Sequence, residues 1–237
     1  MHYKTEFIRF LLESGAMTFG VYTLKSGRKS PYMINIGKVG SGVSLSRMGD
    51  FYARAIYEKM ETGIIPEDTN LLFGSAYKGI PLVTATSIAM SAAFELDLGW
   101  AFNRKEAKDH GEGGVFVGTM PGAGDRVLVV DDVMTAGTAL RETIDLFKKY
   151  APDAEVIGSV IAVDRKERGR DKTVSAVAEA EKEFGIPVFS IIDIDEIIEA
   201  LKSGELVLEC KSSFKAALPT ADQIAAIEEY LAEYRAL

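Results

Sequence analysis

Between residues 71 and 192, short apolar runs alternate with segments of helical periodicity. Strands that alternate with helices in this way pair in parallel, and their helices cover both faces of the sheet. The pattern therefore predicts an α/β fold with a central parallel sheet and helices on both faces. The predicted strands are residues 71–74, 98–102, 127–130, 156–163 and 188–192, and the predicted helices are residues 79–96, 137–150 and 174–184.

Segments at both ends of the chain frame this alternation. An amphipathic helix is predicted at residues 1–14, followed by a Gly-, Ser- and Lys-rich cap with two β-like runs and then by a helix at residues 44–60. The spacing of Thr220 and Gln223 is that of a capping box and predicts a last helix, interpreted as packing without chemistry. We interpret residues 1–237 as one domain with an N-terminal hood of about residues 1–43 and a C-terminal packing helix of about residues 219–235.

The charge balance limits the classes of partner. A formal net charge of −8 argues against general nucleic-acid binding, which needs a basic surface. No apolar run reaches the roughly 18 residues that a membrane span requires, and the first helix lacks the apolar core of a signal peptide. The single cysteine, Cys210, fits a reducing compartment. We expect a cytoplasmic protein without a membrane or nucleic-acid partner.

The most specific motif is an apolar strand that stops at two acids and turns through small residues into a helix, residues 127–139. Residues 135–138 supply two hydroxyls and closely spaced backbone N–H groups at a helix N-terminus, which suits a phosphate. Asp131 and Asp132 would repel that phosphate but can accept hydrogen bonds from sugar hydroxyls beside it. Together these features predict a sugar-phosphate site.

A second interpretation of the two acids is a Walker-B-like strand end or a metal-binding acid pair in another α/β protein. The chain has no G-x-x-x-x-G-K-[ST] loop for a nucleoside triphosphate, and no G-x-G-x-x-G follows its first predicted strand. Both absences weaken this interpretation.

The complete string of acids, Thr-Ala-Gly-Thr and helix resembles the phosphoribosyl-pyrophosphate signature of the type I phosphoribosyltransferases. Four further segments, residues 23–32, 74–81, 103–113 and 164–169, are similar to the orotate phosphoribosyltransferase family and occur in the same order. The resemblance spans residues 20 to about 170. It implies a type I phosphoribosyltransferase fold and Mg²⁺-dependent transfer of a phosphoribosyl group from phosphoribosyl pyrophosphate to orotate.

The resemblance also implies a role for individual residues. Lys25, Lys108 and His110 would be catalytic, and the Mg²⁺ would be held mainly through substrate and water. The residues expected to bind phosphoribosyl pyrophosphate are Lys25, Tyr77, Lys78, Arg104, Lys105, Lys108, His110, Asp131, Asp132, Val133, Met134, Thr135, Ala136, Gly137, Thr138 and Ala139. The residues expected to bind orotate are Met33, Ile34, Thr135 and Arg165.

Residues 104–114 form a basic, glycine-rich segment that follows a predicted strand. Composition alone leaves a mobile lid and a solvated hairpin tip equally open. The resemblance favours a lid that closes on pyrophosphate in the neighbouring subunit's site, which implies a homodimer.

For Arg165 the alternative is a surface arginine in a charged loop. Met33 and Ile34 replace an aromatic pair found in well-known members, so they keep an apolar wall without ring stacking.

Two other functions stay open at this point. A phosphoribosyltransferase for a purine would share residues 131–139 but neither the Lys25 segment nor the surroundings of Arg165. A regulatory protein that senses phosphoribosyl pyrophosphate without reacting would be expected to lack the cationic lid and to carry a DNA-binding helix-turn-helix. The sequence shows the lid segment and no such added domain.

Overall fold

A computed structural model of the chain describes residues 2–24, 27–108, 114–169, 173–208 and 217–236, without the side chains of residues 2 and 106–108. The strands in the described residues are β1 (Met17–Thr23), β2 (Lys29–Ile34), β3 (Leu71–Gly74), β4 (Gly99–Lys108), β5 (Gly114–Gly118), β6 (Arg126–Val133), β7 (Glu155–Asp164) and β8 (Val188–Asp193). The α-helices are α1 (His2–Glu13), α2 (Gly42–Glu61), α3 (Gly79–Phe94), α4 (Thr138–Tyr150), α5 (Ala176–Phe184), α6 (Ile194–Ser203) and α7 (Ala221–Tyr234), with a 3-10 turn at Ile36–Lys38.

Six strands form one central sheet in the order β5-β4-β3-β6-β7-β8. Strands β4, β3, β6, β7 and β8 are parallel, which confirms the predicted α/β fold. At the edge, the sequence pattern missed one strand and ended another too early. Strand β5 pairs antiparallel with β4, so the sheet is mixed, and β4 continues to Lys108 where the prediction ended it at residue 102.

The strand order reverses at β3. The chain passes from β3 to β4 on one side and then returns to β6 on the other side of β3. The connections that leave the carboxyl ends of β3 and β6 therefore enter different helices, α3 and α4. In open parallel sheets such a reversal opens a crevice for ligands. The fold thus places the loop after β3 opposite the loop after β6.

The sheet is buried on both faces, as its uninterrupted apolar strands predicted. Within β3, Leu72 contributes to the large core that includes α1, α2 and α3, whereas Leu71 and Phe73 contribute to a second cluster with Phe147 of α4. Side chains alternate between the two faces of a strand, so a strand covered on both faces must be apolar throughout.

The N-terminal hood contains the antiparallel β1–β2 hairpin, against which α7 packs. The ring of Tyr32 in β2 meets that of Tyr230 in α7 edge-on, with 6.1 Å between centroids. Thr220 and Gln223 form the predicted capping box. The single-domain division stays a prediction. Within the described residues, no helix combines the length and hydrophobicity needed to cross a membrane.

Candidate active site

The loop after β3 is fixed to both of its neighbours by hydrogen bonds. The backbone N–H of Ala76 donates to Asn103 Oδ1 in β4 at 2.9 Å, and the hydroxyls of Ser75 and Thr143 lie 2.7 Å apart, which joins the loop to α4. The loop can leave the sheet this abruptly because its ends nearly touch. A Cβ on Gly74 would lie 2.2 Å from the carbonyl oxygen of Gly79, so no larger residue fits there.

Three cationic side chains and an exposed tyrosine lie at this edge. Lys78 Nζ pairs with Asp132 Oδ2 at 2.5 Å and joins the loop after β3 to the end of β6. Tyr77 is 71% exposed, and Lys105 Nζ lies 5.3 Å from the centroid of its ring. Arg104 and Lys105 belong to β4 itself, so the prediction that they follow a strand end was wrong. The arrangement still brings these cations to the carboxyl edge of the sheet.

The two acids at the end of β6 are held in fixed orientations. Asp131 Oδ1 accepts a hydrogen bond from the N–H of Asp132, and Asp132 Oδ1 accepts one from the N–H of Val133. Tyr52 of α2 donates its hydroxyl proton to the carbonyl oxygen of Asp131 at 2.6 Å. Burial, helped by the charge of Asp132, raises the pKa of the Asp131 carboxyl from 3.8 to about 6.

In the turn from β6 into α4, none of the described side chains caps the first backbone N–H groups of the helix. Gly137 adopts a left-handed conformation there, with φ of 64°. The first N–H groups of a helix have no partner within the helix, and the positive end of the helix dipole adds to their attraction for an anion. Thr135, Thr138 and Ala139 are exposed around this turn. The geometry fits the predicted phosphate cradle.

Arg165 directly follows β7 and points into the protein. Its side chain is 8% exposed, which excludes the alternative of a surface arginine. Its Nε donates to the hydroxyl of Tyr32 at 3.2 Å and its Nη2 to Ser30 Oγ at 3.3 Å, so it joins the central sheet to the hood.

Met33 and Ile34 lie next to each other in β2 but on opposite faces of the strand. Ile34 is 7% exposed and belongs to the main core, whereas Met33 is half-buried. Successive residues of a strand alternate between its faces, so the two side chains cannot line the same wall together.

Residues 45–189 match the family model described as the phosphoribosyl transferase domain. Orotate phosphoribosyltransferase of Pseudomonas aeruginosa is 46% identical to this chain over 232 residues, which is 98% of each chain. The chain belongs to the orotate phosphoribosyltransferase family. The enzyme of that name from Bifidobacterium adolescentis is 54% identical over 194 residues, covering 82% of this chain and 84% of that one.

A solved structure of orotate phosphoribosyltransferase from Francisella tularensis has the same fold, with a TM-score of 0.78 at 35% identity over 98% of this chain and 100% of that one. The type I phosphoribosyltransferase fold expected from the resemblance is thereby confirmed.

Three residues expected in an orotate phosphoribosyltransferase site cannot be placed. Lys25 and His110 lie outside the described residues, and Lys108 ends β4 with a side chain that also lies outside them. Their catalytic roles stay predictions, as does the lid formed around them.

Sequence reasoning missed four residues that shape the site: Tyr52, Ser75, Asn103 and Glu167. Three of them lie in segments that resemble the family, namely Ser75, Asn103 and Glu167. The resemblance could therefore have identified them as candidate site residues. Tyr52 lies in the helix predicted at residues 44–60, for which the sequence indicates no part in the site. Nothing in the sequence indicated its hydrogen bond to Asp131, which is 79 residues away along the chain.

Proposed function

We propose that this chain transfers the phosphoribosyl group of phosphoribosyl pyrophosphate to orotate, yielding orotidine 5′-monophosphate and pyrophosphate for pyrimidine nucleotide synthesis. The observation that carries the proposal is the pairing of a phosphate cradle with a cationic edge across the strand reversal between β3 and β6. The family relationship supports orotate as the base.

The two halves of the site divide the substrate between them. The 5′-phosphate binds at the turn of residues 134–138, at the N-terminus of α4, where the first N–H groups of the helix have no side-chain cap within the described residues. Asp131 and Asp132 accept hydrogen bonds from the ribose hydroxyls. Lys78 and Lys105 lie on the side of β3 and β4, where they attract the pyrophosphate. Asp131 and Asp132 thus lie between the turn that binds the 5′-phosphate and the lysines that attract the pyrophosphate.

The reaction breaks the bond between the anomeric carbon and a pyrophosphate oxygen and forms a bond from that carbon to a ring nitrogen of orotate. Negative charge grows on the leaving group and positive charge on the ribose ring. Fixed cations such as Lys78 stabilise the first, and the carboxylates of Asp131 and Asp132 stabilise the second. A covalent intermediate with the protein is unnecessary, because deprotonated orotate attacks directly.

Magnesium fits this donor set as an ion carried by the substrate. Among the described residues no group of three or more His, Cys, Asp or Glu side chains forms a metal cage. Mg²⁺ characteristically retains waters and binds phosphate oxygens, so substrate and water would hold most of it, next to Asp131 and Asp132. When bound, the ion supplies positive charge that neutralises the pyrophosphate.

The base would lie beside the end of β7. Arg165 supplies hydrogen-bond donors there, Thr135 extends from the neighbouring turn, and β2 provides the apolar wall through the half-buried Met33. Ile34 lies on the other face of the strand and is buried in the main core, so it does not line this wall.

We also propose a homodimer in which the β4–β5 hairpin serves the neighbouring subunit's site. The hairpin lies at the edge of the sheet and carries the cationic Arg104, which supports this role, while Lys105 contacts Tyr77 of its own subunit. The cytoplasmic location expected from the sequence stays a prediction.

The proposal is tested by offering the purified protein a panel of bases with phosphoribosyl pyrophosphate and Mg²⁺. We expect nucleotide formation, measured by chromatography, with orotate and not with adenine, hypoxanthine or guanine. A purine nucleotide formed in preference to orotidine 5′-monophosphate would establish the purine alternative. Binding of phosphoribosyl pyrophosphate without turnover of any base would establish the sensor.

A further inference from the structure

Glu167 contacts Arg165, Tyr32 and Arg28 at the base side of the site. Its Oε1 lies 2.6 Å from Arg165 Nη2 and accepts a hydrogen bond from the Tyr32 hydroxyl at 3.0 Å. Its Oε2 lies 3.8 Å from Arg28 Nη1 in the hood. The side chain is only 12% exposed, so solvent screens these interactions little.

The same contacts restrain the guanidinium of Arg165 on one side. Its Nε donates to Tyr32, and its Nη2 donates to Ser30 and pairs with Glu167. The guanidinium also lies 4.6 Å from the centroid of the Tyr32 ring. Among the described residues no acceptor contacts Nη1. The two Nη1 protons, of the five that an arginine can donate, therefore remain for a ligand.

We propose that Glu167 is a positioning residue for recognition of the base: together with Tyr32 it fixes Arg165 so that the Nη1 edge faces the ring carbonyl and amide groups of orotate. The inference rests on the proposed function, because it assigns Glu167 to the orotate half of that site. Glu167 does not touch the base and acts only through Arg165.

The loop that carries Arg165 and Glu167 contains an unfavourable backbone conformation. Lys166, between them, has a positive φ of 50°, which is unfavourable for a residue with a side chain. The turn is held by Lys166 Nζ, which pairs with Asp193 at 2.6 Å and Asp195 at 3.0 Å. Such strain persists only where the surroundings impose it.

The C-terminal helix supplies part of those surroundings. The N–H of Arg168 donates to the carbonyl oxygen of Tyr234, and the N–H of Ala236 donates to that of Lys166. Glu167 and Arg235 form an antiparallel bridge between the two segments. The end of α7 therefore holds the backbone on both sides of Glu167, which extends its role beyond packing.

For Glu167→Gln, a positioning role and the loss of charge alone predict opposite changes in the binding of orotate. Removing a negative charge near an anionic base would by itself strengthen binding of orotate. Loss of the ion pair that orients Arg165 weakens binding instead. We expect the KM for orotate to rise about tenfold or more, because hydrogen bonds to charged groups are the stronger class, while the KM for phosphoribosyl pyrophosphate stays within about twofold.

The matched control is Glu228→Gln, which breaks the exposed pair of Glu228 with Lys202 at 2.7 Å and touches nothing near Arg165. Both KM values should stay at the wild-type level in this variant. Thermal unfolding of each variant shows whether it is folded. An orotate KM that falls or does not change in folded Glu167→Gln overturns the inference, and so does an equal rise in both KM values, which marks a structural role.

Tyr32→Phe tests the inference independently if Glu167→Gln does not fold. It removes the hydroxyl that joins Arg165 to Glu167 and leaves every charge in place. A rise in the orotate KM alone supports the inference, and an unchanged orotate KM overturns it. The wild-type protein distinguishes failure of the proposed function from failure of this inference: if it makes no nucleotide from orotate, the proposed function fails before any variant is compared.

Discussion

At the scale of the residue, the site depends on ionisable groups whose pKa values are shifted by their surroundings. Asp131 is the clearest case, because burial and the adjacent Asp132 raise its pKa to about 6. The folded protein thus holds the proton of this carboxyl more tightly than the unfolded chain does. The stability that Asp131 contributes is fully present below its ordinary pKa of 3.8 and is lost as pH rises through about 6.

Asp131→Asn should therefore gain stability relative to the wild type as pH rises from about 4 to 7. The difference grows by as much as ~3 kcal/mol, since each pKa unit corresponds to about 1.4 kcal/mol. Urea unfolding of the ligand-free protein at several pH values measures it. Asp153→Asn, at an exposed position, controls for the change in net charge. A difference between Asp131→Asn and wild type that does not vary with pH would contradict the assigned pKa.

At the scale of the element, the strand-turn-helix unit β3–α3 depends on two glycines in contact. A Cβ added to Gly74 would lie 2.2 Å from the carbonyl oxygen of Gly79, which is backbone and cannot move aside as a flexible side chain would. The turn must open, and its opening displaces Tyr77 and Lys78 at the tip.

Gly74→Ala should lower the free energy of unfolding by about 3 kcal/mol, the upper part of the usual range for overpacking, and should reduce turnover as well. Chemical unfolding and initial rates measure the two effects. Gly122→Ala is the control, since a Cβ there meets nothing within 4 Å. If Gly74→Ala is as stable and as active as Gly122→Ala, the tight turn does not constrain the site.

The elements differ in how well the sequence predicted them. Residues 71–74 were predicted correctly because four apolar residues end at a glycine. The extension of β4 to Lys108 was missed because these polar residues show no strand pattern and owe their conformation to pairing with β5. Helix α6 was also missed, although Asp193 and Glu196 form a capping box at its start, because it follows β8 without a turn.

At the scale of the whole molecule, the hood, the central sheet and α7 meet at Arg165. The sequence predicted all three parts, but their meeting depends on pairs such as Tyr32 with Arg165 and Tyr32 with Tyr230, which no local pattern relates. Arg28 of the hood likewise lies 5.1 Å from the centroid of the Tyr234 ring. Periodicity identifies elements, whereas contacts between distant segments arise only when the chain has folded.

For the whole molecule, we propose that the carboxyl edge of the sheet couples release of pyrophosphate to capture of orotate. The most direct measurement follows pyrophosphate and orotidine 5′-monophosphate together, with protein, Mg²⁺ and phosphoribosyl pyrophosphate, in the presence and absence of orotate. We expect the two products to appear in equal amounts and neither to form without orotate. Pyrophosphate released at the same rate without orotate, or no nucleotide formed with it, would contradict the account.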